Sequence, residues 1–533
     1  MGRLTPVAIA ADSPQTVAAA EEIARSGGNA VDIAVAAAMA ASLVEILMCS
    51  LGGSAFLMVK RSGRPAELID GADSVPRAAN SRTRETMDLW DVHLPYGDGI
   101  RVSAGPASVA VPGMLAALEM AWQRHGRLPW AEVLAPALRL AREGFPLSRV
   151  TAAWLEIAGP SLFHRQPESR ACFCPDLSRL PRAGEWFQLP HMADSLELIA
   201  REGARAFYQG EIAAIFAATM RDSGGLVSRE DLAAYRPELR RPLILRSRGF
   251  ELALNPPPAV GGAALGSLIG VMALEGIAVD GPDQWLGTTA LIGRGGMGRS
   301  EALRALRHAR AQMALFSLRR RALGQTPLAR RSVEALMEPE HLMRQLRQGG
   351  CGSTTHLSVA DASGELVAVT LSNGYGSGIS IPGTGIACNN SLGEPELNPA
   401  GLMAAPAGSR LVSNMAPSIA CHGDGHAFAF GSPGASRITS AMAQVWERHT
   451  EEGMTLESAI AAPRLHVNAE VDPPRLLVEP GIDPSLLEPE FVIQRFEAPN
   501  MYFGGIKLAG IDRHGSLQAY ADQRREGCVA FVE

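Results

Sequence analysis

The first fifty residues alternate between one short apolar run and two helical patterns. The uninterrupted apolar run Val7–Ala11 predicts a short buried strand. Pro14 then opens a helix, which the glycine pair Gly27–Gly28 ends. A second helix begins after Asn29, a residue type that caps helix N-termini well, and it continues to Leu47.

The middle of this second helix is entirely uncharged. Ile33–Val44 is a run of 12 residues between Asp32 and Glu45. A membrane-spanning helix needs about 20 apolar residues, so this run is too short to cross a bilayer. We therefore predict an alanine-rich helix buried in the core.

The rest of the chain changes from helical to strand-like patterning. Strands are predicted at Phe56–Lys60 and Ala66–Asp70, joined by a short turn. From residue 111 to about residue 320 the pattern is mostly helical, and several segments, such as residues 192–210, end on glycine. From Thr355 onward apolar and polar residues alternate, and residues 355–372 read as a hairpin around an Ala-Ser-Gly turn. Together these elements predict an α+β fold.

Composition and charge exclude several classes of protein. The chain has 533 residues, 20% of them charged, a net charge of −6 and a pI of about 6.1. Such a composition is that of a folded protein and not of a disordered one. It also argues against a nucleic-acid binder that relies on bulk positive charge. Lys60 and Lys507 are the only lysines, and neither lies in a phosphate-binding loop.

Cysteines and the N-terminus point to the cytoplasm. Seven cysteines are present without a Cys-x-x-Cys pair, which predicts neither a disulfide framework nor a zinc site. The apolar run near the N-terminus is too short for a signal peptide, and Pro6 breaks the myristoylation pattern. We expect a cytoplasmic protein that needs no metal and contacts neither membrane nor nucleic acid.

Two motifs carry candidate chemistry. Gly293–Gly298 fits Gly-x-Gly-x-x-Gly, but the acidic residues that follow are Glu301, too close, and Glu334, too far for a dinucleotide site, so no cofactor is expected. Thr354 stands at the change from helical to strand patterning. A threonine hydroxyl becomes a good nucleophile when backbone cleavage frees its own α-amine to act as base. Taken alone, Thr354-Thr355 before a strand is better explained by ordinary β-propensity than by such a nucleophile.

Family-like sequence blocks occur in order along nearly the whole chain. They are Gly27–Asp32, Leu51–Gly53, Val111–Gly113, Leu140–Phe145, Phe207–Gly210, Gly224–Leu226, Asp231–Tyr235, Pro256–Pro258, Gly261–Gly262, Thr354–His356, Asn389–Asn390, Ser413–Pro417, Gly431–Arg437 and Ala462–Arg464. In these blocks the chain resembles the γ-glutamyltranspeptidase family of N-terminal-nucleophile hydrolases. The resemblance implies a four-layer αββα sandwich.

The same resemblance implies self-processing. A precursor would be cut between Ser353 and Thr354 into a large chain, residues 1–353, and a small chain, residues 354–533, which stay together as a heterodimer. The resemblance leaves open whether two such processed units associate into a dimer.

The resemblance further assigns catalytic roles. Thr354 would be the nucleophile and, through its new amine, the base. Ser372 matches the family threonine that hydrogen-bonds the nucleophile. The backbone N–H groups of Gly434 and Ala435 match the oxyanion hole, where an alanine is acceptable if its backbone conformation suits a Cβ.

The substrate pocket departs from the family pattern. Ala72 replaces the arginine that binds the substrate α-carboxylate, and Arg77 or Arg82 are nearby candidates to substitute for it. The stretch between Asn390 and Arg410 is too short for a full lid.

Four further residues are expected to bind substrate. Asn373 corresponds to an amine-binding asparagine in an uncertain register. Glu394 remains of a family acidic pair, and Ser413-Asn414 stands where the family has two serines. His356 and His466 lie in family blocks, but we expect both to be structural, because the terminal amine already serves as base.

These features predict a self-processing threonine hydrolase or acyltransferase that acts on an amide or acyl bond of a small molecule other than glutathione. Four alternatives stay open. They are a γ-glutamyl amide bound by a relocated cation, another acyl group as in relatives similar to oxamate amidohydrolase or cephalosporin acylase, a carbon–carbon bond beside a keto group as in alkylproline-type secondary metabolism, and an inactive, unprocessed paralogue.

Overall fold

The computed structural model describes most of the chain. It covers residues 5–81, 87–95, 99–174, 176, 179–273, 297–323, 354–398, 404–469 and 473–533, and within residues 297–323 it describes side chains from 301 to 316. Within these ranges we find no helix that is both long enough and apolar enough to span a membrane.

Helices form much of the N-terminal half. Their bounds are α1 Pro14–Arg25, α2 Ala30–Val44, α3 Met114–His125, α4 Trp130–Glu143, α5 Arg149–Leu162, α6 Pro167–Phe173, α7 Met192–Glu202, α8 Arg205–Tyr208, α9 Glu211–Asp222, α10 Arg229–Ala234, α11 Gly261–Ala273, α12 Met297–Leu323, α13 Ser436–Thr450 and α14 Leu456–Ala461. Short 3-10 turns occur at Ala79–Ser81, Pro106–Ser108, Ser391–Gly393, Met501–Phe503 and Gln523–Arg525.

The strands come from both halves of the chain. Their bounds are β1 Val7–Ala11, β2 Ser54–Lys60, β3 Glu67–Gly71, β4 Trp90–Leu94, β5 Ile100–Ala104, β6 Phe145–Pro146, β7 Trp186–Phe187, β8 Glu238–Arg240, β9 Leu243–Ser247, β10 Phe250–Leu254, β11 Thr355–Asp361, β12 Leu366–Ser372, β13 Ser380–Ile381, β14 Ile386–Ala387, β15 Ser418–His422, β16 Ala427–Gly431, β17 Leu465–Asn468, β18 Arg475–Val478, β19 Val492–Arg495, β20 Lys507–Ile511, β21 Leu517–Ala521 and β22 Cys528–Val532.

Two large sheets stack between layers of helices. The first has seven strands in the order β22-β1-β11-β12-β2-β3-β8, and the second has six in the order β21-β20-β16-β15-β10-β9. Strands β1, β11 and β12 of the first sheet pack on β20 and β16 of the second. Helices α1, α2 and α3 cover the outer face of the first sheet, and α11 packs on β9 and β10 of the second. The order is therefore helix, sheet, sheet, helix.

Side-chain size sets the spacing of these layers. Many residues between the two sheets are alanines, including Ala8, Ala368 and Ala509, which let the two sheets approach closely. Larger aliphatic and aromatic residues fill the two cores between each sheet and its helices. This division explains the high alanine content of the strands, because the inter-sheet space is narrow.

The buried helix α2 forms as the sequence predicts, with one difference at its end. Every residue of α2 is buried, and Asn29 and Asp32 form a reciprocal capping box at its start. The prediction that the helix reaches Leu47 is wrong. Glu45 leaves the helical conformation at ψ 54°, and Leu47 has a φ of +69°, which no right-handed helix can accommodate.

Two further sequence predictions are corrected. The segment from residue 111 to 320 contains strands β8, β9 and β10. Strands β8 and β10 pair with β3 and β15, which lie far along the chain, and β9 pairs with its neighbour β10. In β10 the buried residues Phe250, Leu252 and Leu254 alternate with an exposed glutamate, a period-2 signal within a region that otherwise looks helical. Residues 192–210 form two helices and not one, because Gly203 adopts a φ of +69° between α7 and α8. The glycines 293–296 of the Gly-x-Gly-x-x-Gly motif lie outside the described residues.

Candidate active site

Thr354 lies immediately before the central strand β11 and points at a backbone loop. Its side chain is buried, at 2% exposure. The Gly434 N–H donates to Thr354 Oγ1 at 2.9 Å, and the Ala435 N–H lies 3.5 Å from the same oxygen. Two converging main-chain donors beside a hydroxyl are the arrangement that stabilises an oxyanion formed next to that hydroxyl. Ser353, the other residue of the predicted cleavage site, lies outside the described residues.

The loop that carries these donors joins β16 to α13. Gly434 has a φ of +114°, which suits glycine. Ala435 has a φ of +58° and a ψ of −123°, a conformation in which its Cβ is strained. From the sequence we expected an alanine here to be acceptable if its backbone conformation suited a Cβ, and this conformation does not. Backbone strain of this kind typically costs about 1–3 kcal/mol of stability. The helix that starts at Ser436 adds the positive end of its dipole to the same loop.

Ser372 lies at the end of β12, next to the nucleophile in the same cavity. Both Thr354 and Ser372 line this cavity, together with Ser54, which faces Ser372 across the β2–β12 pair. The Ser372 Oγ accepts a hydrogen bond from the Gly374 N–H at 3.1 Å. The hairpin β11–β12 thus brings together two of the predicted catalytic residues, one just before β11 and one at the end of β12.

The cavity beside Thr354 is small and acidic. Its volume is about 30 Å³, room for about two water molecules. Asp73 and Glu394 line it, with apolar walls that include Ile438 and Leu411. Ala435 lines it as well, so the oxyanion loop is part of the pocket wall.

Burial shifts the pKa of both carboxyl groups. The pKa of Asp73 is raised to about 7, chiefly by burial, against a hydrogen bond of 2.6 Å from Ser391 Oγ and the nearby charge of Arg410. The pKa of Glu394 is raised well above its ordinary value by burial, and further by the charges of Glu396 and Asp73. A positive charge that entered the pocket would favour ionisation of both groups.

Three side-chain acceptor atoms of the cavity wall have no donor among the described residues. They are Glu394 Oε1, Asn414 Oδ1 and Asp73 Oδ1, and all three are buried. Asn414 is oriented by its amide, which donates to Glu396 Oε2 at 2.5 Å, so its carbonyl oxygen is the free end. Buried acceptors without donors are costly, and a ligand that brings donors would satisfy them.

The other predicted binding residues divide into two groups. Ser413 and Asn414 line the cavity. Asn373 is fully buried, but it does not line the cavity, and its Nδ2 donates to the Cys388 carbonyl at 3.4 Å. The expectation that Asn373 binds an amine is therefore not supported by its position.

Ala72 lines the cavity where the resemblance placed a carboxylate-binding arginine. The nearest arginine is Arg410, whose Nη1 donates to the Ala72 carbonyl at 2.9 Å and whose guanidinium stacks on the ring of Tyr235 at 4.3 Å. A second donor reaches the Arg236 carbonyl. Because these contacts use the guanidinium of Arg410, this side chain stabilises the backbone of the pocket wall and does not face the cavity. Among the residues that the structure describes, no arginine, lysine or histidine lines the cavity.

The two arginines predicted as substitutes do not fill this role. The Arg77 side chain is 63% exposed and lies beside Asp231 on the surface. Arg82 lies outside the described residues. The sequence offered no local signal for Arg410, which is 338 positions from Ala72 along the chain.

His356 and His466 have the surroundings of structural histidines. His356 contacts the hydroxyl groups of Thr370 and Ser358 at 2.8 and 3.0 Å. His466 contacts those of Ser440 and Ser436 at 3.0 and 3.4 Å. Burial lowers the pKa of both rings well below the ordinary value, so both are neutral at pH 7.

Several residues of the site were not anticipated from the sequence. Asp73 directly follows Ala72, and an acid next to a lost cation was a signal that could have found it. Arg525 donates to the Thr354 carbonyl at 3.3 Å from near the C-terminus, with no local signal. Within the described ranges, no group of three or more histidines, cysteines or carboxylates is placed to hold a metal ion.

Comparison with known proteins identifies the same family over nearly the whole chain. Residues 16–532 match the family model described as gamma-glutamyltranspeptidase. The acylase ACY 1 proenzyme of Pseudomonas sp. (strain SE83) is 29% identical over 98% of this chain and 93% of its own. Glutathione hydrolase 2 of Arabidopsis thaliana is 29% identical over 86% of this chain and 80% of its own. The crystal structure of a cephalosporin acylase from Bacillus halodurans superposes with a TM-score of 0.78 at 26% identity, over 99% of this chain and 96% of that one.

Proposed function

This chain belongs to the γ-glutamyltranspeptidase family, and from that premise we propose that it cuts itself before Thr354 and then cleaves amides of small acyl groups that carry an amine and no carboxylate. It is an enzyme of the hydrolase or acyltransferase type, and its fold is the α+β sandwich of N-terminal-nucleophile hydrolases, as the sequence predicts. A relative named acylase and one named glutathione hydrolase are each 29% identical to this chain. Sequence identity therefore does not distinguish between their substrates, and the substrate has to be inferred from the pocket.

Maturation begins with the Thr354 hydroxyl. Its oxygen attacks the carbonyl carbon of residue 353, the C–N bond to Thr354 breaks, and the amine takes the proton, which leaves an ester. Water then hydrolyses the ester and frees the hydroxyl and the α-amine of Thr354. The products are residues 1–353 and 354–533, held together as one sandwich.

Catalysis uses the groups that this cut exposes. The α-amine of Thr354 accepts the hydroxyl proton as the oxygen attacks the substrate carbonyl. The oxyanion forms within reach of the Gly434 and Ala435 N–H groups, which already lie 2.9 and 3.5 Å from Oγ1. The amine leaves with the proton, and water or a second amine resolves the acyl-enzyme.

The balance of donors and acceptors in the pocket supports this choice of acyl group. Asp73 and Glu394 line the cavity, Glu394 Oε1 and Asn414 Oδ1 have no donor, and no cation lines the described wall. A substrate carboxylate would add a negative charge and further acceptors beside two carboxyl groups, on a described wall that offers it no cation. An ammonium brings three donors and one positive charge, which this wall is built to receive.

Maturation is tested by intact mass. We expect the purified protein to lose its 56.3 kDa species and to give a small fragment that begins Thr-Thr-His. Thr354→Ala should remain a single chain. A wild-type chain that stays whole after long incubation would refute the mechanism and favour the inactive paralogue.

The acyl group is tested with four p-nitroanilides that combine the presence or absence of an amine with the presence or absence of a carboxylate. They are γ-glutamyl, with both amine and carboxylate; 4-aminobutanoyl, with the amine alone; glutaryl, with the carboxylate alone; and butanoyl, with neither. We expect kcat/KM for 4-aminobutanoyl to exceed that for glutaryl at least tenfold, because one charged hydrogen bond is worth about 1.5–3 kcal/mol. Assays with Thr354→Ala give the background rate at which the amine of the 4-aminobutanoyl substrate attacks its own amide and releases p-nitroaniline without the enzyme's nucleophile.

The other outcomes identify the alternatives. Preference for γ-glutamyl would mean that a cation does reach the substrate carboxylate. Preference for glutaryl would overturn the proposed acyl group while leaving the mechanism intact. A matured enzyme that is inert to all four anilides would call for the keto-acid substrates of the carbon–carbon alternative.

A further inference from the structure

A buried chain of polar groups lies behind the nucleophile, away from the substrate cavity. It starts at Thr355, the residue after Thr354. The Thr355 hydroxyl lies 2.9 Å from Asp12 Oδ2 and in close hydrogen-bond contact with Glu45 Oε2. Lys507, fully buried, forms an ion pair with Asp12 Oδ1. None of these side chains lines the cavity.

If the carboxyl groups of Asp12 and Glu45 were both ionised, these hydrogen bonds would lack one proton. A hydroxyl has one proton to donate, yet the Thr355 hydroxyl touches two carboxyl groups. One of the two contacts therefore needs a proton carried by a carboxyl group. Asp12 is the carboxyl group that pairs with the Lys507 ammonium, so the proton belongs on Glu45.

With that proton every group in the chain is satisfied. Thr16 Oγ1 donates to Glu45 Oε1 at 2.9 Å. The Glu45 carboxyl donates to the Thr355 oxygen, Thr355 donates to Asp12, and Asp12 accepts from Lys507. Each hydroxyl or carboxyl proton has one acceptor, and the order runs in one direction from Thr16 to Asp12.

Burial agrees with this assignment. Glu45 is 3% exposed, and burial together with the charge of Asp12 raises its pKa to about 7. The charged or titratable groups that face it are Asp12, Lys507 and Cys49, whose thiol pKa burial raises well above the ordinary value, so that it is neutral. Cys528 lies at the outer side of the same group, also with a raised pKa.

We propose that Glu45 is a positioning residue that, in its protonated form, fixes Thr355 and through it the nucleophile Thr354, and that its ionisation as the pH rises through neutrality releases them. This inference rests on the proposed function, because it concerns the same nucleophile. Ionised Glu45 would leave two carboxylates against one hydroxyl. Thr355 would move away, and Thr354 is bonded directly to it. A displacement of about 1 Å at a reacting group costs up to 100-fold in rate.

The predicted signature is in the pH profile of kcat. Turnover rises as the α-amine of Thr354 loses its proton, near pH 7.7–8.0 for an ordinary α-amine. The same turnover falls as Glu45 ionises, which gives the profile an alkaline limb. KM should change little, because Glu45 does not line the substrate cavity.

Glu45→Gln tests this assignment, because the amide keeps the size, stays neutral and donates an N–H where the protonated carboxyl donates its O–H. We expect the variant to mature, to reach a kcat at or above the wild-type maximum, because no ionisation of residue 45 then accompanies the loss of the α-amine proton, and to lose the alkaline limb. Thr355→Ser should behave as wild type, whereas Thr355→Val should lose about tenfold in kcat at every pH. Glu119→Gln is the matched control, since Glu119 is a partly buried glutamate with a raised pKa that hydrogen-bonds the Ala204 N–H instead.

A second readout does not depend on activity. Glu45 keeps its proton in the folded state where the unfolded chain loses it, so its contribution to stability declines as pH rises from about 4.5 to 7. The melting temperature of wild type should therefore fall relative to Glu45→Gln over that range. An unchanged alkaline limb in Glu45→Gln, or parallel melting curves, would overturn the proposal. An uncut wild type would refute the proposed function instead, and the melting comparison would still decide whether Glu45 is protonated.

Discussion

Replacing Lys507 by methionine should destabilise the enzyme by an amount that its burial defines. Lys507 is fully buried, and it joins the end of β1, through Asp12, to the start of β20 in the other sheet. It also donates to the Gly505 carbonyl at 3.0 Å. Lys507→Met preserves most of the volume but leaves the Asp12 carboxylate buried without its cation. Breaking a buried ion pair in this way costs about 3–5 kcal/mol.

That cost converts into a measurable melting shift. An unfolding entropy of about 2.1 cal/mol/K per residue corresponds to about 1.1 kcal/mol/K for a chain of this length that unfolds as one unit. The expected fall in melting temperature is therefore about 3–5 °C by differential scanning calorimetry. Lys60→Met is the matched control, because it makes the same change at the only other lysine, which is partly exposed at the end of β2.

A double variant isolates the pair. Asp12→Asn with Lys507→Met removes both charges, and it should regain at least half of the loss seen with Lys507→Met alone. Equal shifts for Lys507→Met and Lys60→Met, or strictly additive losses in the double variant, would refute the claim that the two charges stabilise each other across the sheets.

Three further predictions concern the pocket and the nucleophile. The pKa of Asp73 is raised to about 7, so the ratio of 4-aminobutanoyl to butanoyl turnover should climb as pH rises through 7 and should be flat in Asp73→Asn. Arg410→Met removes two hydrogen bonds from a charged donor to backbone carbonyls, and we expect the melting temperature to fall by about 3–5 °C, measured by calorimetry, with little change in the rate of self-cleavage. Arg525→Met frees the Thr354 carbonyl, and time-resolved intact mass should show self-cleavage slowed about 10- to 100-fold.

Local patterns along the chain predicted much of the fold. The Asn29 cap, the buried helix after it and the hairpin that begins at Thr355 depend on neighbouring residues, and the structure has all three. The strand β10 also had its alternation in the sequence. It was missed although it forms a local hairpin with β9, because both strands lie in a region that otherwise looks helical, and its other partner, β15, comes more than 160 residues later.

The candidate site was predictable only where family blocks covered it. Thr354, Gly434 and Glu394 lie in or next to such blocks, and they meet at one cavity or its edge. The conformation of Ala435 was not predictable, because a left-handed alanine has no sequence signature. Arg410 and Arg525 reach the site by tertiary contact alone. The shared proton at Glu45 depends on a hydroxyl more than 300 positions away.

The order of strands in the first sheet has a consequence for the life of the mature enzyme. After the proposed cut, β22, β11 and β12 belong to one polypeptide and β1, β2, β3 and β8 to the other, so the sheet alternates between them at three boundaries. β15 and β10 make a fourth boundary in the second sheet. Neither polypeptide could rebuild this interleaved order without the covalent connection that guided its folding. The enzyme would therefore be assembled once, and a mature molecule that loses its shape would leave two fragments with no route back.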